Sequence, residues 1–344
     1  MTLQNVMQCP ACESTRRSLL HSNVPDFVFH ASDETWNIVR CEDCASLYLS
    51  QRPSPDAIGR YYQRYYTHVQ APDSQTISGI AVHSSALSRL ANSWRNVRYG
   101  THRPSLGYVG ALVMVMLTPL RRWVDAECRH IPPAGARSQG FSVLDIGCGD
   151  ARFVRFARDA GCRSVGIEVD PIAVAAARRD GLDVRAGDAE RALTLFGSES
   201  FDYVTMSHVI EHLHEPRRAL EQVNRLLKPG GVLWLETPNP ESYGHAIYGD
   251  RWRDLDPPRH LCLLSGEALR RLAVEAGFQV SREHHRTFVP FEVFPFSSSA
   301  AGDASQVREP RWKLRMRSAF YEMLGYFRPG RREWITLQFS KAVE

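Results

Sequence analysis

Asp145, Gly147 and Gly149 occupy alternate positions in Val143-Leu144-Asp145-Ile146-Gly147-Cys148-Gly149-Asp150, an apolar run that breaks into a glycine-rich turn. Two glycines two residues apart let the backbone bend tightly and approach a ligand at the carboxyl end of a strand. A dinucleotide fingerprint would place a third glycine at 152, where this chain has Arg152. The turn is therefore a poor pyrophosphate cradle. The carboxylate of Asp145 would repel a diphosphate and suits a cationic ligand. Glu168 ends the next apolar run, nineteen positions beyond Gly149 (168 − 149), and an acid there can take both hydroxyls of a ribose. Together these residues suit a cationic nucleoside without phosphate. S-adenosylmethionine, which carries a sulfonium and an ammonium, is such a molecule. Cys148, between the glycines, reads as a small packed residue, since nothing marks it as a thiolate.

A second constellation lies at Ser207-His208-Val209-Ile210-Glu211-His212. On a helix, His208, Glu211 and His212 would share one face at i, i+3 and i+4. Histidine is the usual base near neutral pH, and a positioned base accelerates proton removal from a hydroxyl by about 10²–10⁴-fold. The string H-x-x-E-H also matches an inverted zinc-protease motif, but it directly follows a strand and no downstream acidic helix stands out to complete the ligand set. His260, in Pro257-Pro258-Arg259-His260, is a separate candidate base, with Arg259 beside it as an anion clamp. A third group is Cys9-Pro10-Ala11-Cys12 and Cys41-Glu42-Asp43-Cys44, two knuckles separated by 28 residues. Four thiolates paired in this way predict a closed, structural tetrahedral zinc site, with a redox role as the alternative.

The elements that must position these residues follow from periodicity. Strands are expected at Val143–Ile146, Arg163–Glu168, Asp183–Ala186, Phe201–Met206 and Val232–Glu236, alternating with helices, which implies a parallel sheet with right-handed crossovers. A helix from Ser265 to Ala276 has a serine cap and Gly277 as its stop, followed by a strand from Phe278 to Arg282. In their order, LDIGCGD, VGIEVD, GDAE, FDYVTMSHVIEHL and LKPGG resemble the class I S-adenosylmethionine-dependent methyltransferases over roughly half the chain. The resemblance implies an α/β, Rossmann-like, seven-stranded sheet whose last strand, Glu333 to Phe339, is antiparallel. It also implies that Asp145, Gly147 and Gly149 flank the methionine part of the donor, that Glu168 holds the ribose, and that Asp188 with Ala189 faces the adenine. Ser207 and His208 would then line the donor's outer edge, with Glu211 and His212 at a helix start or against the acceptor.

At 344 residues, 43% of them apolar, the chain has room for more than this one domain. Residues 1–50 read as a zinc-ribbon-like module with Phe27, Phe29, Trp36 and Val39 between the knuckles. Residues 51–135 read as a mainly helical linker or lid, with Tyr61, Tyr62, Tyr65 and Tyr66 on one helical face and a loop at 71–80. Residues 136–344 read as the methyltransferase domain, with an insertion at 289–332. The proline- and aromatic-rich stretch 238–261 should lie over the sheet's carboxyl edge and shape an acceptor pocket. From Arg308 to Arg332 there are eight basic and two acidic residues, a net of +6 in a chain of +4, interleaved with Trp312, Phe320, Tyr321 and Phe327. Such a segment suits an anionic membrane surface or an anion patch. The apolar run Leu106–Leu120 is shorter than the roughly 20 residues that span a bilayer and reads as a buried or interfacial helix. No signal peptide is evident, so the expected address is cytoplasmic, with a peripheral membrane contact in view.

The segments TPNPES and WRDLDPPRHL are similar to those of small-molecule enzymes related to the ubiquinone-biosynthesis O-methyltransferases and to enzymes acting on glycan sugars. The expectation is O-methylation of a sugar, a lipid-linked glycan or a quinone-like acceptor, with zinc as a structural cofactor. The alternatives are a zinc-containing RNA methyltransferase and a donor-binding scaffold without turnover. The strand end Ser207-His208 differs from the Asn/Asp-Pro-Pro-aromatic motif common in amino-group methyltransferases of nucleic acids, which makes a nucleic-acid acceptor the second choice.

Overall fold

The computed structural model describes residues 3–62, 76–77, 80–81, 85–189, 195–301 and 309–343. Tyr65, Tyr66 and Arg308, named above, lie outside them, as does most of 71–80. Strand β1 (Leu3–Asn5) pairs with β5 (Gln51–Pro53), and β2 (Arg17–Pro25), β3 (Thr35–Cys41) and β4 (Leu47–Leu49) form an antiparallel meander. Trp36, Ile38, Val39, Leu47 and Leu49 are all buried. A short pair, β6 (Thr76–Ile77) and β7 (Ile80–Ala81), follows. Helices α1 (Ser85–Tyr99), α2 (Gly107–Met116) and α3 (Thr118–Glu127) then precede the main sheet. The expected single helix over 106–120 is two, because Pro119 sits in the first turn of α3 and cannot continue α2.

The main sheet comprises β8 (Ser142–Ile146), β9 (Arg163–Glu168), β10 (Val184–Ala186), β11 (Phe201–Ser207), β12 (Leu227–Pro238), β14 (Phe278–His284) and β15 (Trp334–Lys341). Its order is β10-β9-β8-β11-β12-β15-β14, with β15 antiparallel to both neighbours. The chain reverses direction across the sheet between β8 and β11, and ligands of open α/β sheets bind at that switch point. Helices α4 (Arg152–Asp159), α5 (Pro171–Arg179), α6 (Pro216–Leu226), α7 (Tyr243–Tyr248) and α8 (Gly266–Glu275) lie between the sheet's strands; β12 begins at Leu227, so Lys228-Pro229-Gly230-Gly231 belongs to the strand rather than to the end of α6. Side chains alternate between two cores, as a sheet covered on both faces requires. On β11 and β12, Val204, Leu233 and Leu235 face α6 and α8, while Tyr203 and Trp234 face the side of α1, α3 and α4.

The N-terminal module is built into this body. A two-residue strand, β13 (Cys262–Leu263), adds to β4 and makes the meander four-stranded. Cys9, Cys41, Cys44 and Tyr48 pack in the same core as Leu220 and Leu269. Ser265 does double duty: its hydroxyl accepts the Ala268 N–H at the start of α8 and donates to the Cys44 carbonyl at 2.6 Å. A third core joins Trp36 and Tyr61 to Trp252, Leu261 and Phe294 of α9 (Pro290–Ala301), one of two α-helices among the described residues between β14 and β15. The other is α10 (Arg311–Phe327).

Candidate functional site

The donor turn forms as the glycines predict. Gly147 and Gly149 take φ of +67° and +52°, in the left-handed region where a side chain is strained. A Cβ on Gly147 would also meet Cγ2 of Val209 at 2.5 Å, so the turn packs directly beneath the segment that follows β11. Arg152 opens α4 and pairs with Asp150 at 3.0 Å on the surface. Cys148 is buried, and burial pushes its thiol well above the ordinary range, which agrees with a packed residue.

Glu168 reaches back to this turn. Its carboxylate accepts the backbone N–H of Gly149 at 2.7 Å, of Val169 at 2.9 Å and of Asp170 at 3.0 Å. The end of β9 is thereby tied to the loop after β8. Burial raises the Glu168 pKa against the lowering effect of these amides. Asp188 and Ala189 stand just past β10, beside Gly187, whose N–H donates to the Glu168 carbonyl at 3.0 Å. The structure thus brings Asp145, Gly147, Gly149, Glu168, Asp188 and Ala189 to neighbouring strand ends.

Asp145 is not the open negative charge that the sequence suggests. It is buried, ion-paired with Arg129, and accepts the Thr205 hydroxyl at 2.8 Å. Its Oδ2 has no hydrogen-bond partner. Burial outweighs Arg129 and raises its pKa. Arg129 arrives from just beyond α3 and lies over the rings of Phe153 and Trp234, at 4.4 and 5.8 Å. Nothing in the sequence near Arg129 marks it, because the pairing spans sixteen residues and two elements. A buried carboxylate with one unpartnered oxygen, beside a backbone turn that no side chain fills at Gly149, fits a donor with an ammonium and a compact sulfonium.

The H-x-x-E-H string departs from the expected helix. His208 has φ +53° and only Ile210–His212 forms a single 3₁₀ turn. The chain bends sharply there because the His208 N–H still donates to the Glu236 carbonyl of β12, at 2.9 Å. The helical-face geometry of a protease motif is therefore absent. The three side chains nevertheless converge. His208 Nδ1 lies 3.2 Å from Glu211 Oε1, its Nε2 lies 3.8 Å from Glu236, and Trp334 packs edge-on against the ring. Burial disfavours the imidazolium, but Glu211 and Glu236 more than compensate, and the His208 pKa is raised. Glu211 is fully buried and held down to about 2, where His208 overcomes the desolvation. Ser207 ends β11 immediately before this bend.

His208, His212 and His260 line one cavity of about 230 Å³. Arg253, Asp254 and Asp256 of the 238–261 stretch line it too, as expected of that loop. Val28 and Phe29 close it from the N-terminal module, and Glu292 and Trp334 from α9 and β15. His212 Nδ1 lies 3.0 Å from both the Arg259 carbonyl and the Tyr62 hydroxyl, so Tyr62 touches a residue of the cavity wall. Burial and the neighbouring His260 lower the His212 pKa to about 4. His260 Nδ1 sits 2.7 Å from the Asp254 carbonyl, and burial lowers its pKa as well.

Arg259 has a different task from the expected anion clamp. It is wholly buried, with Asp26 at 2.6 Å and Asp256 at 2.5 Å, and its plane lies 4.4 Å from the Phe29 ring. The two carboxylates take four of its N–H donors and the Tyr61 carbonyl the fifth, leaving none for an incoming anion.

At the other pole the four knuckle thiols lie within 4.8 Å of one another. Cys9 Sγ is 3.6 Å from Cys44 Sγ, and Cys12 Sγ is 3.4 Å from Cys41 Sγ. A tetrahedron with metal–sulfur bonds of about 2.3 Å has edges of about 3.8 Å, so the donor set fits a tetrahedral ion. These separations are far too long for disulfides.

A sheet of this order, with glycines and acids at successive strand ends and no phosphate cradle, defines a methyltransferase that uses S-adenosylmethionine. A family model described as "Methyltransferase domain" matches residues 120–283, and the chain belongs to this family of enzymes. The ubiquinone biosynthesis O-methyltransferase of Xanthomonas oryzae pv. oryzae is 32% identical over 178 residues, covering 48% of this chain and 67% of that protein. The enzyme of the same name from Alkalilimnicola ehrlichii is 34% identical over 140 residues, covering 39% and 54%. A crystal structure of a SAM dependent methyltransferase from Archaeoglobus fulgidus is 20% identical, with a TM-score of 0.43, covering 64% of this chain and 94% of that one.

Replacing Gly147 with Ala should lower stability by about 1–3 kcal/mol, through the left-handed backbone and the overlap with Val209. Calorimetric titration should show S-adenosylmethionine affinity falling at least tenfold. If both the urea midpoint and that affinity stayed at wild-type values, the turn would not be the constraint described here.

Proposed function

We propose that this enzyme O-methylates a small acceptor, a sugar, lipid-linked or quinone-like molecule, held in the cavity beneath His208. The observation that carries this reading is the position of His208, immediately after the strand beside the donor turn and on the wall of a cavity lined by three parts of the chain. When bound, S-adenosylmethionine supplies a methyl group on a cationic sulfur. The chain's own residues align the acceptor and manage its proton. With Nδ1 turned to Glu211, His208 presents Nε2 as the nitrogen that takes a hydroxyl proton. Glu211 and Glu236 stabilise the imidazolium that results. Asp145, Gly147, Gly149, Glu168, Asp188, Ala189 and Ser207 form the donor side in this reading. His260 and Glu211 complete the catalytic side, and the likeness to ubiquinone-biosynthesis enzymes favours an oxygen acceptor.

A cavity of about 230 Å³ suits a ring or head group rather than a folded nucleic acid, which would have to extrude a nucleotide to enter it. For the four cysteines we propose structural zinc, because a closed set of thiolates leaves no position for substrate. An anionic membrane surface is the proposed partner of α2 and α10. On α2, Tyr108, Val109, Leu112 and Met116 are exposed by 68–84%, and only Gly110, Ala111 and Met114 are buried. Trp312, Met316 and Phe327 of α10 are likewise exposed, among arginines and Lys313. Apolar side chains in this number, next to basic charge, match a helix lying in a lipid interface. Among the described residues no helix is long and apolar enough to cross a membrane.

Three measurements test these readings. His208→Gln should reduce kcat about 10²–10⁴-fold while leaving S-adenosylmethionine affinity within twofold, and an unchanged kcat would remove His208 as base. Elemental analysis after brief chelator treatment should find one zinc per chain, lost when Cys9 and Cys12 are both serine; a metal-free yet fully folded wild type would contradict the zinc reading. The protein should co-sediment with vesicles containing phosphatidylserine, and Leu112→Asp with Met116→Asp should abolish this. Equal binding to neutral vesicles at high salt would rule out the basic contribution.

A further inference from the structure

Glu211, His212 and His260 belong to segments 48 residues apart in sequence (260 − 212), and their donor atoms lie within 4.8 Å of one another. We propose that these three side chains hold a divalent first-row transition-metal ion on the wall of the cavity, a second metal site distinct in ligand type from the cysteine tetrad. Two imidazoles and one carboxylate on one side of an ion leave its remaining positions open, which distinguishes a substrate-binding site from a closed structural one.

The surroundings of the ligands carry the inference beyond proximity. Both imidazoles have Nδ1 at a backbone carbonyl, His212 at Arg259 with 3.0 Å and His260 at Asp254 with 2.7 Å. An Nδ1–H donated to a carbonyl fixes the tautomer whose Nε2 carries a lone pair, the arrangement that metal-bound histidines use. The two carbonyls belong to the same short loop, whose shape is locked by Arg259 between Asp26 and Asp256. Glu211 is fully buried. Its Oε2 accepts the Thr237 hydroxyl at 3.0 Å, and its Oε1 lies 3.2 Å from His208 Nδ1. A buried carboxylate is stabilised by each cation that reaches it, and a metal ion beside the two imidazoles would be such a cation.

Metal–ligand bonds of about 2.0–2.2 Å require donor separations near 3–3.5 Å, so binding would draw the three groups inward by small side-chain rotations. Imidazole ligands favour Zn²⁺, Fe²⁺, Co²⁺ or Ni²⁺ over Mg²⁺ or Ca²⁺. The open positions face the cavity that the preceding section assigns to the acceptor. The ion would take oxygen donors there, and best of all two on adjacent carbons, as in a catechol-like ring or a sugar diol. This last step rests on the methyltransferase reading, whereas the metal site does not.

Protein with its cysteine site filled by zinc, freed of looser metal by dialysis, is titrated with Co²⁺ alone and followed by calorimetry and visible absorption. We expect one further equivalent to bind, with weak d–d bands and no thiolate charge-transfer band. His260→Gln and Glu211→Gln should each weaken that binding at least tenfold with the zinc content unchanged. No binding by the wild type, or a thiolate band, overturns the proposal. Should a variant fold poorly, the wild-type titration alone decides. Donor binding and methyl transfer are measured on the same samples. Transfer that persists at full rate without the second ion leaves the function standing and denies the ion an acceptor role. Cobalt binding without any transfer upholds the site and removes the function.

Discussion

The buried guanidinium of Arg259 is the joint on which the cavity side of this molecule depends. One planar cation bridges Asp26 of the N-terminal module and Asp256 of the loop over the sheet, and donates to the Tyr61 carbonyl at 3.2 Å. Taking such a group out of water is expensive, and only full satisfaction of its donors offsets that cost. Removing one carboxylate would leave charge buried without compensation, typically at about 3–5 kcal/mol. Burial raises the Asp256 pKa despite Arg259, while Arg259 and the Phe29 and Ala31 amides overcome burial and lower that of Asp26. The two acids therefore divide the work unequally, Asp26 carrying the firm negative charge. What hangs on the joint is specific. Phe29 stacks on the guanidinium and forms a wall of the cavity, and the Arg259 carbonyl orients His212.

This arrangement explains why the N-terminal module is inseparable from the site. A module of about fifty residues has too small a core to be rigid alone, and its four cysteines gather at one end. Beside those cysteines β13 supplies an edge strand, and at the other end Arg259 supplies a charge anchor. The module thus delivers Val28 and Phe29 to the cavity while its cysteine end is packed against α8 through Ser265.

The parts legible in the sequence are those governed by local rules. The glycine pair, the alternation of β-strands with helices, the Ser265 cap and the paired knuckles each follow from near neighbours in the chain, and the sheet order follows from the resemblance that those motifs carry. The parts that were not legible depend on contacts between distant segments. Arg129 neutralises Asp145 from another element, Glu168 spends one oxygen on the backbone of the glycine turn, and Arg259 is claimed by a carboxylate 233 residues away. The H-x-x-E-H string was misleading for the same reason. Its helical spacing is real, but the His208 amide is held by β12, and that long-range bond overrides the local preference for a helix. The residues still meet, because a tight left-handed bend brings i and i+3 together almost as a helix does.

The pairing of Arg129 with Asp145 also changes how donor recognition must work. An exposed aspartate would attract a sulfonium through Coulomb energy alone, with little regard for shape. With Arg129 in place the local charge is near zero. In the proposed donor site, selectivity would then come from the turn's backbone, the one unpartnered oxygen of Asp145 and the fit around the sulfur. Negative charge is concentrated instead on the other side of Val209, at Glu211 and Glu236 around His208. The separation has a chemical logic. In the proposed reaction, methyl transfer would discharge a cation beside the turn while a proton leaves the acceptor, and carboxylates that stabilise a protonated His208 would favour the second event without binding the donor more tightly in its ground state.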